Sequence, residues 1–215
     1  MPEKLSEEQL RRVEEFVEEE EGAFNRYRGW LAGILTAVAV ATSAFHLYAA
    51  YGIVRTDILR GVHVALMLFL TFMLLPVAKR FRHRLMWFDV IFALLSVATI
   101  AYMIAGGDAF TDRNTNPNAW DMAFGLMLMV LVVEATRRTS GLVMPIVIGF
   151  FVVYAFVGPW LPHPWTHRGY DVGRLVGHMY MTLEGIFGTA VDVSATLIIL
   201  FTIYGAFLQY SGAGR

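Results

Sequence analysis

Two histidines lie inside long apolar stretches of the sequence and are the residues best suited to bind a cofactor. His46 falls in Gly29–Val54 and His63 in Gly61–Ala78, and neither stretch contains Asp, Glu, Lys or Arg. Imidazoles on two adjacent helices are able to serve as the axial ligands of a haem, or to bind a quinone. His46 lies eight residues before the end of its stretch, whereas His63 lies within one turn of the start of its own. Because these depths differ, we favour interhelical hydrogen bonds over a cofactor.

Two carboxylates lie near the ends of apolar stretches where basic residues also cluster. Asp89 follows the run Lys79–Arg84, and Glu134 precedes Arg137 and Arg138. Ionisable side chains inside a membrane are costly unless they are paired. We therefore expect ion pairs with these neighbouring cations at the membrane interface, and a polar contact between two spans is the alternative.

Other polar residues fit local structural roles. Asp121, Asp192 and Ser194 stand near the starts of apolar stretches, where each is able to accept hydrogen bonds from the first free N–H groups of a helix. His163 and His167 have the spacing of two ligands on one helix, but Pro164 lies between them and favours a loop. We expect no metal site there.

No set of catalytic residues is recognisable. The chain has no cysteine, which excludes disulfides, thiolate metal sites and cysteine nucleophiles. No Ser/His/Asp set, HEXXH motif or phosphate-binding glycine loop occurs. The net charge of −1 gives no basic excess for nucleic acid. We predict that the protein is not an enzyme and does not bind nucleic acid.

The elements that position these residues are apolar helices. Of the 215 residues, 57% are hydrophobic and 16% are charged, compared with about 25% charged in globular domains. About 20 helical residues span a bilayer. The sequence predicts an all-α, polytopic integral membrane protein with about six transmembrane helices, an N-terminal cytoplasmic helix and an interfacial helix. The predicted spans are Gly29–Val54, Gly61–Ala78, Leu85–Gly107, Asn118–Thr136, Thr139–Pro162 and Val193–Gly214.

The distribution of basic residues predicts the orientation. With the N-terminus in the cytoplasm, nine Lys and Arg residues flank the spans on the inside and five on the outside, and Lys79–Arg84 contributes most of the excess. Arg60 is counted on the outer side, before the start of the predicted second span. The five tryptophans lie near predicted span ends, as in an aromatic belt.

Residues 1–28 are acidic and are predicted to form a solvated cytoplasmic helix. Ser6 and Gln9 have the spacing of a capping box, and Glu7 with Arg11 and Glu8 with Arg12 have the spacing of ion pairs. A docking helix for a partner is the alternative interpretation.

The chain between the fifth and sixth spans changes character. Gly158–Asp171 is rich in proline and predicts an outer loop. Asp171–Leu183 then places Val172, Leu175, Val176, Met179 and Leu183 on one face of an interfacial helix. Two glycines between Glu184 and Asp192 predict a break before the last span.

The C-terminal part resembles a known family. The runs MYMTLEGIFGTAVDVSAT from Met179 and LFTIYGAFLQYSGAG from Leu200 resemble the fused permeases of TRAP transporters of the TAXI type. Glu134–Arg138, Pro145 and the loop up to Arg174 are similar to the same region. The signature positions in this chain are Glu184, Gly185, Gly188, Asp192, Ser194, Gly205, Gly212 and Gly214.

The resemblance implies a permease component of a secondary transporter for organic anions, driven by sodium. It further implies a bacterial or archaeal inner membrane, a periplasmic solute-binding protein as partner, a small-subunit region at residues 29–136 and the start of a large subunit at 137–215. The substrate and sodium hairpins of that family lie further along its chains. We therefore expect this chain to be an N-terminal portion that acts as scaffold and anchor beside the remainder of the large subunit, without a cofactor or sodium site.

Overall fold

Helices make up most of the described part of the chain. The computed structural model describes Ser6, Glu8, Gln9, Arg12, Val13, Tyr27 and residues 29–77 and 86–212. Within these residues there is no strand, which confirms the predicted all-α class.

Seven helices follow one another in the described residues between Trp30 and Ser211. They are α1 (Trp30–Tyr51), α2 (Thr56–Leu74), α3 (Trp87–Asp112), α4 (Ala119–Ser140), α5 (Val143–Val157, extended by a 3-10 turn at Gly158–Trp160), α6 (Val172–Met181) and α7 (Thr189–Ser211). A π-helical turn at Ser194–Ile198 interrupts α7.

All six predicted spans correspond to helices that are long and apolar enough to cross a membrane. With the 3-10 turn included in α5, these helices contain 18 to 26 residues. The tryptophans lie at or just beyond the helix ends with exposed side chains, as the sequence predicted for an aromatic belt. They are Trp30, Trp87, Trp120, Trp160 and Trp165.

The second span begins earlier than predicted. A criterion based on uncharged residues placed its start at Gly61, but α2 begins at Thr56 and includes Asp57 and Arg60. Asp57 lies in the first turn, where the helix dipole stabilises a carboxylate. Arg60 forms an ion pair with Asp192 of α7. Helical structure at these positions is therefore compatible with their charges, and Arg60 is a helix residue rather than a loop residue.

The third span changes direction at Gly107. This residue has φ 52° and ψ −139°, which lies outside helical geometry, and a last helical turn follows it up to Asp112. Glycine adopts positive φ without the steric cost that a Cβ atom imposes. The predicted span ended at Gly107, so it missed both the change of direction and the helical turn beyond it.

The buried core lies between α2, α3, α4 and α6. Helices α2 and α3 form the most extensive pair, and α6 packs against the first half of α4. In contrast, α5 and α7 are largely exposed, and α5 contacts only α4 among the helices described. Exposed apolar side chains such as Phe150, Phe151 and Phe207 cover these two helices, which suits contact with hydrocarbon.

Helix α6 confirms the predicted amphipathic segment, but its buried face differs. Asp171 caps the helix, because its side chain accepts a hydrogen bond from the backbone N–H of Arg174 at 2.8 Å. Leu175 and Val176 are buried as predicted, and Tyr180 is buried as well. Val172 and Leu183 are exposed, since α6 turns its apolar side toward α4 and ends at Met181.

Of the N-terminal headpiece, the structure describes only a few residues. The Ser6 hydroxyl accepts from the Gln9 N–H at 3.3 Å and the Ser6 N–H donates to the Gln9 side chain at 2.9 Å, which confirms the capping box. Arg12 and Glu8 form the predicted ion pair at 3.2 Å. The pair Glu7/Arg11 and the run Lys79–Arg84 lie outside the described residues.

A close contact at Gly177 leads to a testable expectation. A Cβ atom at this position in α6 would overlap the backbone carbonyl of Asn114 in the turn after α3. We expect Gly177→Ala to destabilise the protein by about 1–3 kcal/mol, because backbone is unable to move aside at low cost. Thermal unfolding of purified protein in lipid nanodiscs, followed by circular dichroism, measures this.

Gly149→Ala in α5 is the matched control, since nothing lies within 4 Å of its added Cβ. Removing a glycine from an exposed helix interior should leave stability unchanged or raise it slightly. Equal melting temperatures for the two variants would contradict the described docking of α6.

Candidate functional site

Helices α1, α2 and α7 meet in a buried row of polar side chains. Nδ1 of His46 lies 2.7 Å from the carbonyl oxygen of Thr42 in the same helix. Nε2 of His46 lies 2.9 Å from Nδ1 of His63. Nε2 of His63 lies 3.0 Å from the hydroxyl oxygen of Ser194 in α7. His46 is 1% exposed and His63 is 4% exposed, so the two rings are shielded from the surroundings of the bundle. We call this row the histidine chain.

The Thr42 carbonyl at one end of the histidine chain determines the directions of its hydrogen bonds. A carbonyl oxygen only accepts, so Nδ1 of His46 carries a hydrogen. If both rings are neutral, Nε2 of His46 is an acceptor, and Nδ1 of His63 must donate to it. Nε2 of His63 is then an acceptor and the Ser194 hydroxyl donates to it. The neutral histidine chain therefore has one hydrogen-bond arrangement, in which both rings are in the Nδ1–H tautomer.

An ion pair lies beside the histidine chain. Nε of Arg60 donates to Asp192 at 3.0 Å, and its Nη1 donates to the carbonyl of Phe187 at 2.8 Å. Arg60 precedes His63 by three residues on α2, and Asp192 precedes Ser194 by two residues on α7. The Arg60 side chain is 14% exposed and that of Asp192 is 38% exposed. Because the two charges compensate each other, this ion pair adds no net charge beside the histidine chain.

The structure confirms interhelical hydrogen bonding of the histidines and corrects the estimate of their depth. Helix α1 ends at Tyr51 rather than Val54, and α2 begins at Thr56 rather than Gly61. His46 is thus five residues from one helix end and His63 seven from the other, which brings the rings to one level. The ends of the charge-free stretches were a poor measure of the depth of the histidines. Uncharged turn residues extended the first stretch beyond the end of α1, and charged residues inside α2 shortened the second stretch.

The predicted capping roles of Asp192 and Ser194 are wrong. Gly188 occupies the N-cap of the helix that begins at Thr189, and no side chain caps it. Both polar residues lie further along α7 and bond to α2 instead. Their partners are Arg60 and His63, and sequence reasoning had missed Arg60. The available signal was its three-residue spacing from His63, which places both on one face of a helix.

The arrangement leaves no space for an iron between the two rings. Two imidazole nitrogens that ligate one metal ion are separated by roughly 4 Å, because each metal–nitrogen bond is about 2 Å long. The facing nitrogens of His46 and His63 are 2.9 Å apart and share a hydrogen. Quinone binding by this pair stays a prediction.

The backbone of α7 is irregular where the histidine chain reaches it. A turn at residues 182–188 separates α6 from α7, as the two glycines predicted. A Cβ at Gly185 would overlap the backbone of His178 and Met179, so this turn packs directly onto α6. The π-helical turn begins at Ser194. Single π-turns within α-helices occur frequently at functional sites.

A second polar cluster joins α3 and α4 at the opposite end of the bundle. Nη1 of Arg138 donates to Asp89 at 2.7 Å and to the carbonyl of Leu75 at 2.9 Å, and Nε donates to Glu134 at 2.9 Å. The side chains of Arg138 and Asp89 are 0% and 1% exposed. Glu134 also accepts two hydrogen bonds from Arg137.

The expected pairing of both carboxylates with neighbouring cations is confirmed for Arg137 and Arg138. Asp89 pairs with Arg138 of α4 in a buried contact between two helices, which is the alternative interpretation made from the sequence, whereas Lys79–Arg84 lie outside the described residues. Nη2 of Arg138 has no hydrogen-bond partner among the described residues. The guanidinium carbon lies 4.9 Å from the centre of the Phe72 ring, a distance at which the ring face attracts a cation.

Asp89→Asn should destabilise the protein by about 3–5 kcal/mol, because it removes one of the two carboxylates that compensate the buried guanidinium of Arg138. Urea or thermal unfolding in nanodiscs measures the change. Glu8→Gln is the matched control, since Glu8 pairs with Arg12 on an exposed surface where an ion pair contributes little. A loss below about 1 kcal/mol for Asp89→Asn would mean that the buried pair is absent.

A third polar group closes the turn between α3 and α4. Asp121 is 0% exposed and accepts hydrogen bonds from Arg113 at 3.1 Å and from Tyr102 at 2.8 Å. It also forms a capping box with Asn118, which confirms its predicted place at the start of the helix. Hydrogen bonding to Asp121 raises the pKa of Arg113 above its ordinary value. These bonds fix the end of α3.

The remaining signature positions do not converge on one site. Glu184 is exposed in the turn before α7, and Gly188 is the N-cap there. Gly205 lies on the exposed surface of α7, and no atom lies within 4 Å of a Cβ added there. Gly212 ends the helix in the left-handed conformation. Gly214 lies outside the described residues.

Of the two loop histidines, His167 has a structural role. His167 contacts the carbonyl of Tyr154 at 3.0 Å, and His163 is exposed. Among the described residues, no group of three or more His, Asp or Glu side chains is placed to hold a metal ion.

The fold and its buried polar rows define an all-helical protein with six helices able to cross a membrane. Residues 11–116 match the model of a family described as a region of unknown function, DUF2417. This match covers just under half of the chain, and its description names no activity. Neither the curated proteins nor the solved structures contain a match to the chain.

The resemblance to TRAP transporters is overturned by this comparison. The family model found is that of DUF2417, and no TRAP transporter family model matches the chain. The quoted likeness lay in residues 134–214, entirely outside the matched region 11–116. It consisted largely of glycine, threonine and apolar residues around a turn, and membrane helices of many kinds share that composition. The solute-binding protein, the missing large subunit and the sodium coupling rested on that resemblance alone.

Proposed function

We propose that this protein is a multi-pass membrane protein of secondary transport, in which the His46–His63 pair binds the coupling proton. The observation that carries the proposal is the histidine chain, two buried imidazoles bonded to each other and to Ser194. Ionisable residues inside membrane spans are costly, and where they persist they often form proton relays and solute pathways. Histidine is the side chain whose charge changes near neutral pH.

The pair is suited to hold one proton and no more. A proton that arrives from Ser194 is accepted by Nε2 of His63, and the ring then donates to both of its neighbours. Transfer of the Nδ1 hydrogen to His46 moves the charge without breaking the row. A second proton would place two N–H groups face to face across 2.9 Å and would bring two positive rings together. The arrangement therefore favours single protonation.

Protonation would act on α7 through Ser194. In the neutral row the Ser194 hydroxyl donates to His63, whereas in the protonated row it accepts from His63 and its own hydrogen must turn to another acceptor. Ser194 begins the π-helical turn, and the segment before α7 is a non-helical turn. Discontinuous helices of this kind line the solute sites of many transporters. The proton site and the irregular part of α7 thus share one residue.

Charge movement after a pH jump tests the proposal. Proteoliposomes on a solid-supported membrane are exposed to a change from about pH 8 to about pH 4, which covers the usual titration range of histidine and the lower range expected of buried imidazoles. We expect a transient current in the wild type and its loss in His46→Gln and His63→Gln, since glutamine keeps hydrogen-bonding groups but does not titrate. His163→Gln, which removes an exposed loop histidine, should keep the transient.

The same preparation separates proton binding from transport. Addition of a mixture of small organic solutes should convert the transient into a sustained current that His63→Gln abolishes. A wild-type protein without any transient, or variants with an unchanged transient, would contradict proton binding at this pair. A transient that no solute extends would contradict the transport part of the proposal.

The orientation has its own test. We propose that the N-terminus is cytoplasmic, because the basic residues that flank the helix ends are more numerous on that side. A reporter fused after Arg82 should then be active in the cytoplasm, and one fused near Asn116 should be active outside. The reverse pattern would invert the topology and would place the histidine chain near the cytoplasmic surface.

A further inference from the structure

A cavity of about 670 Å³ lies between the end of α5, the loop that follows it and the first turn of α6. Binding sites for small molecules commonly have volumes of roughly 300–1,000 Å³. Arg168 and Tyr170 of the loop and Arg174 of α6 line the cavity with exposed side chains. Tyr154 of α5 and His167 of the loop are half-buried in its wall. A ligand is therefore able to reach the side chains that line this cavity.

Hydrogen bonds to α5 hold the loop in place. The backbone N–H of Tyr170 donates to the carbonyl of Ala155 at 2.9 Å. Nδ1 of His167 accepts from the backbone N–H of Gly169 at 3.1 Å, so the ring hydrogen lies on Nε2. Nε2 of His167 donates it to the carbonyl of Tyr154 at 3.0 Å. The ring is thus neutral and fixed, and the loop wall has its shape without a ligand.

The two guanidinium groups at the cavity have no protein partner. Neither the Arg168 nor the Arg174 side chain forms a hydrogen bond or ion pair with the described residues. The nearest carboxylate in the sequence, Asp171, accepts a hydrogen bond from the backbone N–H of Arg174 and does not line the cavity. Six other arginines are described, and each forms an ion pair with a carboxylate: Arg12, Arg55, Arg60, Arg113, Arg137 and Arg138. Two unpaired guanidinium groups in one cavity favour an anionic ligand.

The cavity lies at the level expected of a membrane interface. Trp160 and Trp165 belong to the segment that links α5 to α6 and are 80% and 65% exposed. Tryptophan is enriched at the boundary between lipid and water. Phe150 and Phe151 precede Tyr154 by four and three residues on α5, so they lie on the helix face that leads to the cavity. Both rings are exposed, so the cationic cavity continues into an apolar surface that faces lipid.

We propose that this cavity binds the phosphate headgroup of an anionic phospholipid, such as phosphatidylglycerol. Arg168 and Arg174 donate hydrogen bonds to the phosphate oxygens, because the planar guanidinium matches the geometry of a phosphate. The acyl chains lie along α5 over Phe150 and Phe151. This continuous apolar surface favours a lipid over free phosphate as the occupant. The site uses none of the residues of the histidine chain and is independent of proton binding there.

Native mass spectrometry of the delipidated protein in detergent tests the site by titration with dioleoyl phosphatidylglycerol. We expect the first lipid to bind about tenfold more weakly to Arg168→Gln/Arg174→Gln than to the wild type, because the charged hydrogen bonds to phosphate are lost. The substitutions remove no side-chain bond within the described chain, so folding should not change.

Arg55→Gln is the matched control, since Arg55 is also exposed but already bonds to Asp57 and Asp108. It should bind the lipid within about twofold of the wild type. Equal affinity of Arg168→Gln/Arg174→Gln and the wild type, or an equal loss in Arg55→Gln, would overturn the proposal.

Two further titrations identify the part of the ligand that is recognised. Dioleoylglycerol, which has the same acyl chains without the phosphate, should bind the wild type and Arg168→Gln/Arg174→Gln equally weakly. Inorganic phosphate should not displace phosphatidylglycerol, because it lacks the apolar chains. Preference of the wild type over the double variant for dioleoylglycerol would contradict recognition of the phosphate. Displacement by inorganic phosphate would show a site for a free ion and would contradict a lipid site.

Discussion

The need to pair every buried charge within an apolar bundle determines much of this structure. Arg138 is fully buried, and α2, α3 and α4 all contribute groups to it: the carbonyl of Leu75 just beyond α2, Asp89 and Glu134. The surrounding side chains cannot solvate a guanidinium, so these helices must keep one relative position. Asp121 imposes a similar constraint on the turn between α3 and α4. Helix α7, in contrast, is joined to α2 through the side chains of Arg60 and His63.

Composition and periodicity predicted the helices well because a membrane-length apolar helix has few competing structures. All six predicted spans, the amphipathic α6 and the break before α7 are present. Their ends were less predictable, since charges such as Asp57 and Arg60 are tolerated within a helix once partners from elsewhere compensate them. The same limit explains the misplaced roles of Asp192 and Ser194. A polar residue near a helix start is equally compatible with a cap and with a partner on another helix, and only tertiary packing decides.

The candidate site illustrates a further limit of sequence reasoning. Hydrogen bonding between His46 and His63 was predictable as a kind of contact, but the row that extends to Ser194 was not. Residues 131 positions apart meet only because α7 returns to the open side of α1 and α2. Likeness over the last third of the chain was the least secure signal, because glycine and apolar residues recur in unrelated membrane helices. Predictions from the physical constraints on single helices agreed with the structure better than the prediction from the similarity of segments did.

The π-helical turn at Ser194–Ile198 divides α7 into two parts with separate angular registers. One additional residue in a turn rotates everything after it by about 100° relative to a regular helix. The part up to Ser194 directs Asp192 and Ser194 at α2, while the part from Ile199 exposes Phe201, Tyr204 and Phe207. Sequence changes that suit the lipid-facing part therefore need not disturb the polar part. Loss of a single residue from the turn would align the two registers. The same helix face would then have to contact both the polar groups of α2 and the lipid.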